Sequence, residues 1–171
     1  MDLEFTCTLY RDRTKLGLMS VSPVPYDATK ALVDLPCLAI ADRGAAAQHG
    51  NPTSDPLLQY GNTPIGVYSL TLIPASDPSN FHAYGPNKRW LLTPISGDGV
   101  KAEGAPGMRA GLLIHGGDLN SAYVQWKGLR PTYGCIRMSD GDIAKTVQLY
   151  ESLNPGRVTL RCYELDGQVV S

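Results

Sequence analysis

The apolar residues of this chain come in short pieces separated by glycine and proline, and only one stretch has the length and periodicity of a full helix. That pattern argues against a helical bundle and for a sheet. The opening residues, MDLEFTCTLYRDR, place Leu3, Phe5, Cys7 and Leu9 on one face, the period of a half-buried strand. A charged turn, RDRTK, leads to a second strand at 16–21, so the chain begins with a hairpin. GVYSLTLI (66–73), RWLLTPI (89–95), AGLLIHG (110–116) and RVTLRCYEL (157–165) are further strand-like runs bounded by turn residues. The one clear helix spans 140–153, where Ile143, Val147, Leu149, Tyr150 and Leu153 gather on a broad face. Ser139, with Asp142 three residues on, reads as a capping box at its start. The expected fold is mainly β, a sandwich or barrel-like domain over residues 1–171 that includes the N-terminal hairpin 1–22.

Two segments fit that scheme less directly. A short helix is expected around Ala28–Val33, ahead of an apolar run at Cys37–Ile40. The stretch from Ala41 to Gly61 is rich in Gly, Ala, Asn, Pro, Ser and Asp and reads as a long loop. Loops of that length without structure are uncommon unless they are functional.

Basic and acidic side chains number 15 and 16, so charge gives no reason to expect nucleic acid or an anionic membrane as a partner. No run approaches the ~18 apolar residues of a membrane span. The N-terminus carries acids where a secretory signal carries basic residues, and it lacks a continuous apolar core. The expectation is residence in the cytoplasm or export by a route that needs no conventional signal. The four cysteines, Cys7, Cys37, Cys135 and Cys162, form no CxxC pair. Cys7, Cys37 and Cys162 lie in apolar runs and read as buried small hydrophobes, with a bridge between two of them left open. His49, His82 and His115 are equally spaced, but their flanks do not align and none has an HxH or HExxH partner. No metal site and no cofactor are expected.

Chemistry concentrates at His115 and Cys135. His115 ends the run Gly111-Leu-Leu-Ile-His, and Gly116 and Gly117 follow it, where the backbone can turn and leave room for a ligand. Cys135 follows Gly134 in the segment PTYGCIRM, just ahead of the capped helix. A cysteine attacks as its thiolate, which a nearby imidazole can generate. The backbone N–H groups of Gly134 and Cys135 are placed in sequence to stabilise an oxyanion. Taken alone, the pair is also compatible with a core cysteine and an ordinary strand-end histidine.

The segment IHGGDLNSAYVQWKGLRPTYGCIRMSDGDI resembles the signature of the L,D-transpeptidase (YkuD-type) catalytic domain. In that family a histidine precedes Ser/Thr-His-Gly-Cys, an apolar residue, and Arg or Asn. Here residues 116–131 separate His115 from Thr132, and Gly134-Cys135-Ile136-Arg137 follow in register. Upstream, GNTPIGVYSL is similar to the family's Thr-Pro-x-Gly-x-Tyr/Phe strand, and YGPNKRWLLTPISGDG to the next one. Tyr133 stands where the motif has a second histidine.

The resemblance implies a YkuD-like fold, Cys135 as nucleophile, His115 as base, and the Gly116 carbonyl as the group that orients the imidazole. It places Arg137 to bind a stem-peptide carboxylate, with a structural salt bridge as an equal alternative, and Thr132 and Tyr133 to line the cleft. His82, Tyr84 and Trp90 are weighed as a cleft wall against ordinary packing, and packing is preferred. The implied reaction cleaves the meso-diaminopimelate–D-alanine bond of tetrapeptide stems through a Cys135 thioester. Water would make it an L,D-carboxypeptidase; an amine would make it a D-amino-acid exchanger or a cross-linking transpeptidase.

The N-terminal hairpin, the Pro-x-Gly-x-Tyr and Leu-Thr-Pro segments and the missing signal look most like antibacterial effectors delivered by type VI secretion. The implied partners are peptidoglycan stem peptides, a cognate immunity protein and a component of the secretion apparatus, with the enzyme a monomer acting in the periplasm of a target bacterium. The alternatives are a housekeeping periplasmic L,D-transpeptidase and a non-catalytic peptidoglycan-binding module.

Overall fold

The alternating runs become one sheet of eight strands in the computed structural model, which describes residues 1–165. In chain order the strands are β1 (Asp2–Tyr10), β2 (Gly17–Val24), β3 (Leu32–Cys37), β4 (Gly66–Ile73), β5 (Arg89–Ser96), β6 (Leu113–His115), β7 (Ile136–Arg137) and β8 (Val158–Leu165). Their order across the sheet is β3-β2-β1-β8-β4-β5-β6-β7. The pairs β1–β8 and β6–β7 are parallel and the others antiparallel. The sheet nearly closes on itself. Leu38, just past β3, donates its N–H to the Arg137 carbonyl and accepts from the Arg137 N–H, both at 2.9 Å, and Ala41 bridges Thr132 beyond it. A mainly-β, barrel-like architecture is therefore what the alternation encodes.

The helices are α1 (Arg43–Gln48), α2 (Phe81–Tyr84), α3 (Asp98–Glu103) and α4 (Asp140–Leu153). Ser139 caps α4 by accepting the Asp142 N–H at 3.1 Å, and Ile143 and Thr146 are its buried residues. Asp142 does not complete a capping box; its carboxylate pairs with Lys145 at 3.1 Å. The main core runs from Leu3, Phe5 and Met19 through Tyr68 and Trp90 to Ile114, Ile136 and Leu160, each such side chain contributing about 1.5–3 kcal/mol by leaving water. Trp90 is fully buried, edge-on to Phe5 at 5.0 Å and to Tyr150 at 5.3 Å. Its indole N–H donates to Thr146 Oγ1 at 2.9 Å. Thr146→Val keeps the shape and removes that acceptor, so it should lower unfolding stability by about 1–3 kcal/mol, read as a shift of the urea midpoint.

Two expectations change. At Ala28–Val33 there is no helix. The Asp27 carboxylate accepts from the Thr29 N–H at 3.0 Å and hydroxyl at 2.7 Å, which closes a tight turn. β3 follows, where Pro36 and the residue before it favour extended backbone at the end of the sheet order. The 41–61 stretch is not structureless either. It holds α1, capped by Asp42, whose carboxylate accepts the Ala45 N–H at 2.9 Å. Beyond α1 the buried Asn51 amide gathers the turn, donating to Asp55 and Gln59 carbonyls at 3.0 and 3.1 Å.

Cys7, Cys37 and Cys162 are buried free thiols, with Cys7 and Cys37 sulfurs 3.7 Å apart. No helix among the described residues is long and apolar enough to cross a membrane.

Candidate active site

Because β6 and β7 run parallel, their register sets His115 beside Arg137. Cys135 lies immediately before β7, so the same pairing brings the thiol to the mouth of the strand that delivers the imidazole. His115, Cys135, Arg137, Thr132 and Tyr133 line one cavity of about 480 Å³. The distant candidates of the sequence thus meet at one place.

The loop that carries Cys135 is tied within itself. Thr132 Oγ1 donates to the Cys135 carbonyl at 2.8 Å and accepts the Gly134 N–H at 3.1 Å. Thr63 Oγ1 donates to the Gly134 carbonyl at 2.8 Å. Gly134 has φ +113°, and a Cβ there would run into the Arg109 guanidinium. Only glycine meets both conditions, which explains why a glycine precedes the cysteine. One expectation is not met: the Gly134 N–H is engaged by Thr132 and is not available as an oxyanion donor in this structure. The Cys135 N–H has no acceptor among the described residues. Thr132, expected as cleft lining, is mainly the clasp of this loop, and its residue is buried.

His115 is 2% exposed. Its Nδ1–H donates to the Gly116 carbonyl at 2.7 Å, and Tyr84 packs edge-on at 4.9 Å. A carbonyl can only accept, so the proton sits on Nδ1 and Nε2 keeps its lone pair. Arg137 Nη1 donates to the same carbonyl at 2.8 Å and to the Ala83 carbonyl at 3.1 Å. Gly116 therefore anchors both groups. The Gly117 N–H donates to the Asp140 carboxylate at 2.9 Å; with φ +130°, a Cβ on Gly117 would collide with Arg137 Nη1.

Burial, and then the Arg137 charge, push the His115 imidazole down to about 3, against a smaller opposing effect of the Gly116 bond. Burial pushes the Cys135 thiol above its ordinary value, with the Leu113 N–H and Arg109 pulling the other way. The resting pair is a neutral imidazole and a thiol. Cys135 Sγ accepts the Leu113 N–H at 3.3 Å, and no hydrogen bond joins it to His115 among the described residues.

Several contributors had no signal in the sequence. Arg109 is buried and donates to the carbonyls of Pro56, Asn62, Gly61 and Tyr133 at 2.6, 2.8, 3.0 and 3.3 Å. It ties the 51–62 loop to the loop that carries Cys135. Arg130 and Tyr60 also line the cavity. Tyr133, 62% exposed, meets Tyr60 edge-on at 5.3 Å, and Tyr60 stacks on His49 at 3.9 Å. His82 and Tyr84 do line the cavity, whereas Trp90 belongs to the core. Among the described residues no group of three or more His, Cys, Asp or Glu is placed to hold a metal ion.

No protein-family model matches the sequence, and a comparison with curated proteins finds no match. Among solved structures the chain is similar to Bd1075 of Bdellovibrio bacteriovorus, with a TM-score of 0.53 and 13% identity. The match covers 98% of this chain and 50% of that one, so the chain spans about half the length of the structure it matches. The likeness is one of fold.

Proposed function

We propose that the protein is a cysteine enzyme of bacterial cell wall, cleaving the meso-diaminopimelate–D-alanine bond of tetrapeptide stems through a thioester on Cys135. The observation that carries this reading is the His115 ring, locked through Nδ1–H to the Gly116 carbonyl with Nε2 free, in the same cavity as the Cys135 thiol. The resemblance of residues 115–137 to the L,D-transpeptidase signature supplies the substrate.

In the proposed cycle Nε2 takes the thiol proton as Sγ attacks the diaminopimelate carbonyl carbon. The Cys135 N–H stands ready for the oxyanion. The C–N bond breaks, the imidazolium returns its proton to the leaving amine, and D-alanine departs. Water or an amine then attacks the thioester carbonyl as His115 takes its proton; the C–S bond breaks, and the imidazolium returns the proton to the Cys135 sulfur. Either acceptor uses the same residues. The setting we propose is a secreted effector acting in a target bacterium's periplasm, its producer protected by an immunity protein.

The test incubates purified protein with tetrapeptide muropeptides, with and without a D-amino acid, and reads products by mass spectrometry. Release of D-alanine by the wild type supports the reading; an intact substrate beside an active control enzyme sinks it. Directing the protein to the periplasm of a susceptible bacterium should arrest growth where cytoplasmic expression does not, and harmlessness in both compartments removes the effector role. The engaged Gly134 N–H and the thiol's bond to Leu113 favour one second reading, a non-catalytic binding module. That module would show no preferential alkylation of Cys135 over the other three cysteines.

A further inference from the structure

Residues 116–131, between His115 and Thr132, fold into a loop that presents two aromatic rings. The Asn120 N–H donates to the Gly128 carbonyl and the Gly128 N–H to the Tyr123 carbonyl, both at 2.9 Å. Tyr123 and Trp126 stack in this loop, their centroids 5.4 Å apart and their planes 17° from parallel. Trp126 is buried, and its indole N–H donates to the Thr14 carbonyl at 2.6 Å. Tyr123 is half-buried. With Ile40, Pro131, Thr14 and Arg43 the two rings line a second cavity, of about 230 Å³. Thr14 and Arg43 are exposed, so the cavity has an apolar floor with a few polar groups at its edge, as ligand pockets have. It adjoins the cavity of Cys135 at Asp42 and Pro131, which line both. Its wall is tied to the loop of Cys135, because the Asp42 N–H donates to the Thr132 carbonyl at 2.7 Å. Thr132 stands three residues before Cys135, which at ~3.6 Å per residue separates the two by about 11 Å at most.

We propose that this second cavity binds the N-acetylated sugar that carries the stem, so that the enzyme prefers stems still attached to glycan. Tyr123 takes the sugar's C–H face and Arg43 its acetamido carbonyl. This rests on the reading above for the identity of the substrate. There, two residues and a lactyl group join the reacting diaminopimelate to the sugar, a reach of the same order as the separation of the two cavities. The stem itself carries carboxylates, an ammonium and methyl groups, and its charged groups lose hydration on an apolar floor. A pyranose instead offers an apolar face to an aromatic ring, with hydroxyl and acetamido groups left for the polar edge. Binding a part of the substrate remote from the reacting bond raises kcat/KM.

The first test needs no stem peptide. Its probe is the disaccharide of N-acetylglucosamine and N-acetylmuramic acid alone. Of the two tryptophans, Trp90 lies in the core and Trp126 stacks on Tyr123. Filling the cavity should therefore change tryptophan fluorescence saturably, and Trp126→Phe should remove the change. The disaccharide should bind at least about fivefold more weakly to Tyr123→Ala and nearly as well to Tyr123→Phe. No saturable change up to about 10 mM, or an unaltered affinity in Tyr123→Ala, overturns the proposal. If Tyr123→Ala does not fold, Arg43→Ala on the exposed edge replaces it: affinity should weaken about twofold or more, and an unchanged value overturns the proposal. A concentration-dependent dimer that disappears in the Tyr123 or Arg43 variant would show that a second copy covers the cavity, which overturns it as well. The second test compares kcat/KM for a tetrapeptide with and without the disaccharide attached, where the attached form should lead by about fivefold or more. Disaccharide binding without turnover of any stem leaves the sugar site standing and the functional reading fallen. Equal turnover of both forms without disaccharide binding leaves that reading standing and the sugar site fallen.

Discussion

Replacing His115 by glutamine should lower D-alanine release by about a hundred- to ten-thousandfold, the usual contribution of a positioned general base. Glutamine can still donate toward the Gly116 carbonyl but cannot take the thiol proton. The pH behaviour is a second signature. Burial and the Arg137 charge keep the imidazole neutral down to about pH 3 against an ordinary 6.5. The acid limb of kcat/KM should therefore lie well below pH 6.5. For stability the sign follows from proton counting. Between about 3 and 6.5 the unfolded chain binds a proton at His115 that the folded chain does not. Stability must fall as pH drops through that window, and His115→Gln should flatten this part of the curve. Urea midpoints at several pH values check it; an identical acid slope in the variant would contradict the buried neutral imidazole.

Arg109→Met should be the most damaging change outside His115 and Cys135. The side chain is buried and serves four carbonyls from two loops. Its loss leaves these acceptors unpaired, at about 3–5 kcal/mol. Loop 51–62 should become the first site of proteolysis, and Cys135 should lose its distinct alkylation rate because Gly134 packs against the same guanidinium. Arg109→Lys reaches fewer of the carbonyls and should fall between. A variant with wild-type midpoint and proteolysis pattern would show that the loops hold without this clamp.

The strands were legible because one face of each is buried, so alternation survives in the sequence, as at Leu3, Phe5, Cys7 and Leu9. The helix Asp140–Leu153 was legible for a similar reason, with Ser139 marking its start. Local signals stopped where the structure depends on distant residues. Nothing near Leu32–Cys37 announces that it pairs with β2 and closes the barrel through Leu38 and Arg137. No motif marks Arg109 or Arg130, and only the fold brings them to the loop of Cys135 and to the cavity. Sequence leaves the Gly134 N–H without an evident acceptor, because only the folded loop brings Thr132 Oγ1 onto it. Cys135, His115, Gly116 and Arg137 stand out in the sequence because the motif fixes their spacing; β6–β7 pairing sets His115 and Gly116 against Arg137, and Cys135 lines the same cavity.

The most direct test of the central claim is intact-protein mass spectrometry after acid quench during incubation with a tetrapeptide stem. Acid preserves a thioester, so the wild type should carry an added mass equal to the stem without its D-alanine. Peptide mapping should place that mass on Cys135, and Cys135→Ala should carry none. An unmodified wild type that nevertheless releases D-alanine, or an adduct that persists in Cys135→Ala, would contradict a Cys135 acyl-enzyme.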